Sequence, residues 1–246
     1  VGNGEGVPTT PDDFGPDMEV ARLNAFVRDH KDAPLFVYWP TNLIHMEHRE
    51  GGTWHYTDVP ELDAEGRPTG GRVPGSCKAT TEYLDHLVGR ILANLDETGL
   101  RERTIVLFIG DNGTAEYGKN RLQSEIAIRV PYIAYGPGRV RALGARDELV
   151  DLTDVLPTLL DLADSAPPEG YALDGRSFAP LLFGEPFTPR DWIHAQLNES
   201  RWLRDTRWLL DANGRFYDCG EARDDTQGYP DVTESRDPEV IAARKR

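Results

Sequence analysis

Three short, continuous apolar runs constrain this chain more than any other feature: Leu35-Phe-Val-Tyr-Trp39, Thr104-Ile-Val-Leu-Phe-Ile109 and Val130-Pro-Tyr-Ile-Ala-Tyr135. A strand with one wet face alternates apolar and polar residues, whereas an unbroken run suits a strand covered on both faces, as in a parallel sheet. Helical spacing separates these runs. Met18–His30 places Val20, Leu23, Phe26 and Val27 on one side, with Asp17 available as a cap. Thr80–Leu100 carries a stripe of Leu84, Leu87, Val88, Ile91, Leu92 and Leu95, and Gly99 ends it. Thr153–Ala163 repeats the pattern through Val155, Leu156, Leu159, Leu160 and Leu162, with Pro157 at the end of its first turn. Alternating strand and helix predict an α/β layer architecture, a mostly parallel sheet flanked by helices. His45–Pro74 is rich in Gly, His and charge and fits no element; loops that long are usually functional or disordered. From Trp192 the texture turns to Trp, Arg and Asp around Gly214, which predicts a small antiparallel hairpin region. The expected division is therefore a main part over residues 1–190 and a small C-terminal subdomain over 191–246.

Composition narrows the partners. With 27 basic against 42 acidic residues the formal charge is −15, which argues against nucleic acid, since phosphate neutralisation needs clustered cations in excess. Runs such as Thr104–Ile109 fall far short of the ~20 apolar residues of a membrane span. Cys77 and Cys219 are too few and too far apart for a disulfide scaffold or a CxxC metal site. The chain opens on Val1 through a Gly/Pro/Asp-rich stretch and closes in a helix start, Asp237-Pro238, that runs out at Arg246. The expectation is a piece of a longer protein.

In α/β sheets sites form in loops beyond the carboxyl ends of strands, which points to Pro40–His48 and Gly110–Arg129. Asp111-Asn112-Gly113 directly follows the second run. Neighbouring side chains on a regular strand point to opposite faces, but a tight turn at its end lets both oxygens meet one ligand. A carboxylate beside an amide oxygen suits Ca²⁺ or Mg²⁺ rather than Zn²⁺. From the tripeptide alone an ordinary Asx turn before a glycine, common in any loop, is the more usual reading. Lys119, in Tyr-Gly-Lys-Asn-Arg, sits where an ammonium meets an anion or simply water. His45 stands just beyond the first strand. His45-Met-Glu-His48 is not the HExxH zinc spacing, and His48, His55 and His86 read as surface residues.

The order of these segments is what makes a family recognisable. Ala33–His45, Glu82–Leu92, Thr104–Gly113, Gly118-Lys119, Glu125–Pro131, Asp151–Ala163 and Leu173–Leu182 together resemble the carboxyl-terminal half of a type I sulfatase, of the alkaline phosphatase superfamily, over roughly residues 18–220. The resemblance implies an alkaline-phosphatase-like sandwich and hydrolysis of sulfate esters, either small molecules or glycans. It assigns Asp111 and Asn112 to a calcium site, with Ca²⁺ preferred over Mg²⁺, and His45 and Lys119 to catalysis and sulfate binding. Ca²⁺, Lys⁺ and a protonated His can stabilise the charge that builds on a leaving oxygen.

Departures from the family pattern accompany this. Glu125-Ile126-Ala127 replaces the usual Glu-Gly-Gly, and Ile44 stands where proline is common before His45. No Cys or Ser is followed by x-Pro-x-Arg, the motif that carries the formylglycine nucleophile in sulfatases. The resemblance therefore implies that the nucleophile lies outside these residues and that the chain alone is inactive. It favours a periplasmic or secreted location, as for many relatives. A phosphodiesterase or phosphonate hydrolase of the same superfamily and a non-catalytic sulfatase-like protein are the alternative readings. Trp54, His55 and Tyr56 in the long loop suit stacking on sugar rings, or closing a core.

Overall fold

The first helix starts earlier than its apolar stripe. In the computed structural model, which describes residues 6, 8–10, 12–49, 51–113, 127–220 and 228–246, α1 runs Gly15–Asp29 with Pro16 in its first turn, where a missing N–H costs nothing. Its N-cap is Phe14, not Asp17. Asp17 instead turns to α2, Cys77–Glu97, accepting from the Tyr83 hydroxyl at 2.8 Å and pairing with Arg90. Val20 and Leu87 are fully buried where the two helices meet. Ser76 caps α2 by accepting from the Ala79 N–H at 3.0 Å, and Gly99, at φ +70°, closes its exit.

Two compact units divide the chain, Val1–Thr104 and Ile105–Arg246. In the first unit, His45–Pro74 is not a structureless loop. It folds into two antiparallel hairpins, β1 (Met46–Arg49) with β2 (Thr53–Tyr56), and β3 (Val59–Leu62) with β4 (Pro68–Val73). Tyr56 and Val59 are buried, while most of the other strand residues remain wet, so no period-2 alternation marks these strands in the sequence. Gly75 admits no side chain: a Cβ there would fall 2.2 Å from the Tyr56 carbonyl oxygen. This close approach seats the end of β2 against the start of α2.

Leu35–Trp39 departs from expectation. It forms no strand and pairs with none among the described residues, and Phe36, Val37 and Tyr38 are exposed.

The second unit holds β5 (Val106–Ile109) and β6 (Tyr132–Tyr135), paired antiparallel with Val106 opposite Tyr135 and Ile109 opposite Tyr132. Every described strand pair in the protein is antiparallel, and the expected parallel sheet is absent among the described residues. The physical reason is that an apolar run reports burial rather than direction. All four residues of β5 are half-buried, which an antiparallel pair covered by neighbours satisfies equally well.

Leu152–Asp154 forms a single 3₁₀ turn leading into α3, Val155–Leu162, with Pro157 in the first turn as its ring requires. Asp154 is 2% exposed and organises this corner. Its carboxylate accepts from the N–H groups of Asp151 at 2.9 Å and Arg176 at 2.7 Å, from Arg190 Nε at 2.9 Å, and from the Arg190 terminal amine. Gly175 lies beside it because a Cβ would sit 1.9 Å from the Thr153 carbonyl oxygen. α4, Ala179–Phe183, ends at Gly184 in the left-handed region.

The C-terminal region is larger than one hairpin. β7 (Ile193–Leu197), β8 (Ser200–Arg204), β9 (Trp208–Asp211) and β10 (Phe216–Asp218) form one antiparallel sheet in the order β10-β9-β8-β7. Trp202, Leu209 and Cys219 pack one core cluster. Trp208 and Phe216 pack another with Val240 of α5, Pro238–Lys245, whose cap Asp237 accepts from the Glu239 N–H at 2.8 Å. Neither Cys77 nor Cys219 is in a disulfide. No described helix is long and apolar enough to cross a membrane.

Candidate active site

β5 delivers Asp111 and Asn112 into a turn fixed from both sides. The Gly110 N–H donates to the Pro131 carbonyl at 3.0 Å, and the Gly113 N–H donates to the Ala127 carbonyl at 2.8 Å. Between these two anchors the two side chains come together. Asp111 Oδ1 accepts from the Asn112 backbone N–H at 2.8 Å, while Asn112 Nδ2 donates to Asp111 Oδ2 at 2.5 Å. Both residues are exposed and line a cavity of about 1210 Å³ in the second unit.

The chemistry of this donor pair fits a hard cation. Turning the Asn112 amide about its last bond exchanges its N–H donor for an oxygen, leaving carboxylate and amide oxygens side by side. Calcium takes six to eight oxygens, and no group of three or more His, Cys, Asp and Glu gathers elsewhere among the described residues. Asp111 and Asn112 thus fit as part of a ligand set rather than the whole of one.

Arg129, Arg141 and Arg146 line the same cavity together with Asp147, Glu148, Asp151 and Asp205, and Arg146 is paired with Glu148, so the lining is of mixed charge. His194, on β7, lines it too. Nothing in the sequence singles out His194, a lone imidazole in a short strand, because its place depends on how the C-terminal sheet packs.

His45 belongs to the first unit. Its backbone N–H donates to the Asn42 carbonyl at 2.9 Å, closing the turn that follows Trp39, and buried Leu43 anchors that turn. The imidazole is exposed and stands 6.1 Å from the Trp54 ring, nearly perpendicular to it at 74°. His48 lies directly across the hairpin from Trp54, 5.3 Å away at 73°. His55 is exposed, with its Nε2 2.6 Å from the Thr53 hydroxyl. His86 is not the surface residue expected: it is half-buried 5.3 Å from Tyr83, and burial holds its imidazole below the usual histidine range. Lys119 and Glu125 lie outside the described residues.

A family model described as Sulfatase matches residues 16–165, which includes the helices α1 and α2, His45 and the Asp111–Asn112 turn.

The chain belongs to the sulfatase family.

It is 30% identical over 189 residues to human arylsulfatase A, covering 69% of this chain and 34% of that protein. It is 30% identical over 170 residues to N-acetylgalactosamine-6-sulfatase from Canis lupus familiaris, covering 64% and 30%. Among solved structures, Ps i-CgsB in complex with k-i-k-neocarrahexaose superposes with a TM-score of 0.71 at 19% identity, over 98% of this chain and 55% of that one. The fold shared with such sulfatase neighbours is of the alkaline-phosphatase-like α/β type. The chain spans about a third of the length of these two curated sulfatases and about half of the solved one.

Proposed function

We propose that this chain hydrolyses sulfate esters as one part of a sulfatase catalytic domain. The observation that carries the reading is the pinned Asp111–Asn112 turn at the end of β5, inside the span that matches the family. In this proposal Asp111 and Asn112 hold Ca²⁺, and the cation, when bound, neutralises negative charge on the sulfate oxygens. His45 and Lys119 contact the sulfate group. A sulfate monoester carries one negative charge, and more accumulates on the leaving oxygen as the S–O bond breaks, so two cationic or proton-donating side chains at that oxygen stabilise the transition state more than the ground state. The nucleophile, a formylglycine in this family, comes from sulfatase residues that the 246-residue sequence does not contain. Residues 191–246 serve as the small C-terminal subdomain. The substrate is a sulfated glycan, as supported by the oligosaccharide complex of Ps i-CgsB. A periplasmic or secreted location belongs to the same proposal and rests on family resemblance.

The test is hydrolysis of a chromogenic aryl sulfate with and without millimolar Ca²⁺, by the purified chain and by the chain joined to the complementary part of a sulfatase domain. Calcium-dependent turnover is expected from the joined form alone. Turnover by the chain itself, surviving repurification, would overturn the division of the site. Absence of turnover from both forms would overturn the hydrolase reading.

A further inference from the structure

The β1–β2 hairpin displays an indole where the core has no use for it. Cross-strand pairing puts Met46 opposite Tyr56 and His48 opposite Trp54, so these four residues share one face of the ribbon. That face runs from a buried root to an open tip: Tyr56 is 7% exposed, whereas Trp54 is 57% exposed. The Gly51-Gly52 turn, with φ of +107° and +83°, closes the hairpin just beyond Trp54. His45 precedes β1 directly, and its ring and that of His48 stand nearly upright to the indole plane. The root of the ribbon is fixed by Tyr56, whose carbonyl abuts Gly75 at the start of α2. Trp54 therefore has a defined position rather than a free one, and most of its apolar surface meets water.

We infer that Trp54 is a specificity-determining platform on which a pyranose ring of the substrate rests while the sulfate carried by that ring reaches His45. This rests on the sulfatase reading of His45. Stacking on an indole rewards a flat ligand face lined with C–H bonds, which a pyranose offers and a bare sulfate ion lacks. The His45 ring stands edge-to-face with the indole, 6.1 Å from it centre to centre, so the imidazole borders the platform rather than lying a sugar's width away. The indole holds the sugar, and the imidazole meets the charged group at its rim. Of the three residues that could serve for stacking, the fold selects one: Tyr56 is buried, and His55 lies on the opposite face of the ribbon, engaged with Thr53.

Titration of the 246-residue chain with k-i-k-neocarrahexaose, its desulfated counterpart and sodium sulfate, followed by NMR at the Trp54 indole N–H and the His45 ring, tests this. Sulfate should shift His45 and leave Trp54 nearly still, and the sulfated oligosaccharide should shift both. Trp54→Ala should weaken oligosaccharide binding about tenfold without changing sulfate binding, and Trp54→Phe should restore it to within about threefold. Oligosaccharide binding unchanged in Trp54→Ala, or a Trp54 signal silent toward the oligosaccharide, overturns the inference. A Trp54 response with His45 silent toward both sulfate and oligosaccharide would instead sink the sulfatase reading of His45 and leave the sugar platform standing.

Discussion

Asp154→Asn is a one-atom change that should cost the second unit much of its stability. The Asp154 carboxylate receives four donors, two on each oxygen: Arg176 N–H and the Arg190 terminal amine on Oδ1, Asp151 N–H and Arg190 Nε on Oδ2. An asparagine oxygen keeps one pair. Its NH₂ then faces the other two donors, so two charge-assisted bonds are lost and donor meets donor. At about 1.5–3 kcal/mol for each such bond the loss is about 3–6 kcal/mol, overlapping the roughly 3–5 kcal/mol found when one partner of a buried ion pair is removed. Burial works to raise the Asp154 carboxyl, but Arg190 and the two backbone N–H groups outweigh it and hold it below its ordinary value of 3.8. A depressed carboxyl contributes its full stability above the unfolded value and loses it as pH falls through the folded one. Urea unfolding of the chain, followed by near-UV circular dichroism from pH 7 to pH 2, measures both effects. The gap between wild type and Asp154→Asn should be widest at pH 7 and shrink below about pH 4. A gap under about 1 kcal/mol at pH 7, or one that widens in acid, would refute the account of Asp154 as the organiser of this corner.

Two further outcomes bear on the site in the complete sulfatase. Asp111→Ala should abolish calcium binding seen by direct titration, together with the stabilisation that calcium confers, about 2.7 kcal/mol at a concentration near 100 times Kd; unchanged affinity would remove Asp111 from the ligand set. His45→Ala should lower kcat by about 10² or more, a typical scale for one acid–base group, while His48→Ala stays near wild type, and equal effects would mean that the wrong histidine carries the role.

What the sequence discloses about this fold depends on the range of the interaction. α2 is legible because its apolar stripe is local, although the helix starts at Cys77 under a Ser76 cap, ahead of the Thr80 that the stripe suggests. The Asp111–Asn112 turn is legible for a similar reason: adjacent oxygen donors cannot converge on a pleated strand, so a turn must follow β5. Strand direction is not legible. Val106–Ile109 would read the same in a parallel or an antiparallel pair, and its partner Tyr132–Tyr135 lies beyond a long excursion. The hairpins between His45 and Pro74 escape notice because water reaches most of their residues, and Glu, His and Arg on both faces mask the strand period. The neighbourhood of His45 and Trp54 depends on the β1–β2 register, which a one-residue slip would undo by turning Trp54 to the other side. Asp17 illustrates local rules overridden: it looks like a cap, yet Tyr83 and Arg90 on α2 claim it.

The Leu35–Trp39 segment makes the chain's colloidal behaviour a matter of ionic strength. Its exposed Phe36, Val37 and Tyr38 side chains sit on a backbone with no strand partner among the described residues, the arrangement by which one molecule templates another. Opposing that is a net charge of −15, which keeps molecules apart only as far as the electrolyte lets it act. The screening length falls from about 30 Å at 0.01 M salt to about 3 Å at 1 M. Dilute buffer should therefore keep the chain dispersed, and concentrated salt should let these exposed apolar segments find one another, so that the salt chosen for storage sets which species is being studied.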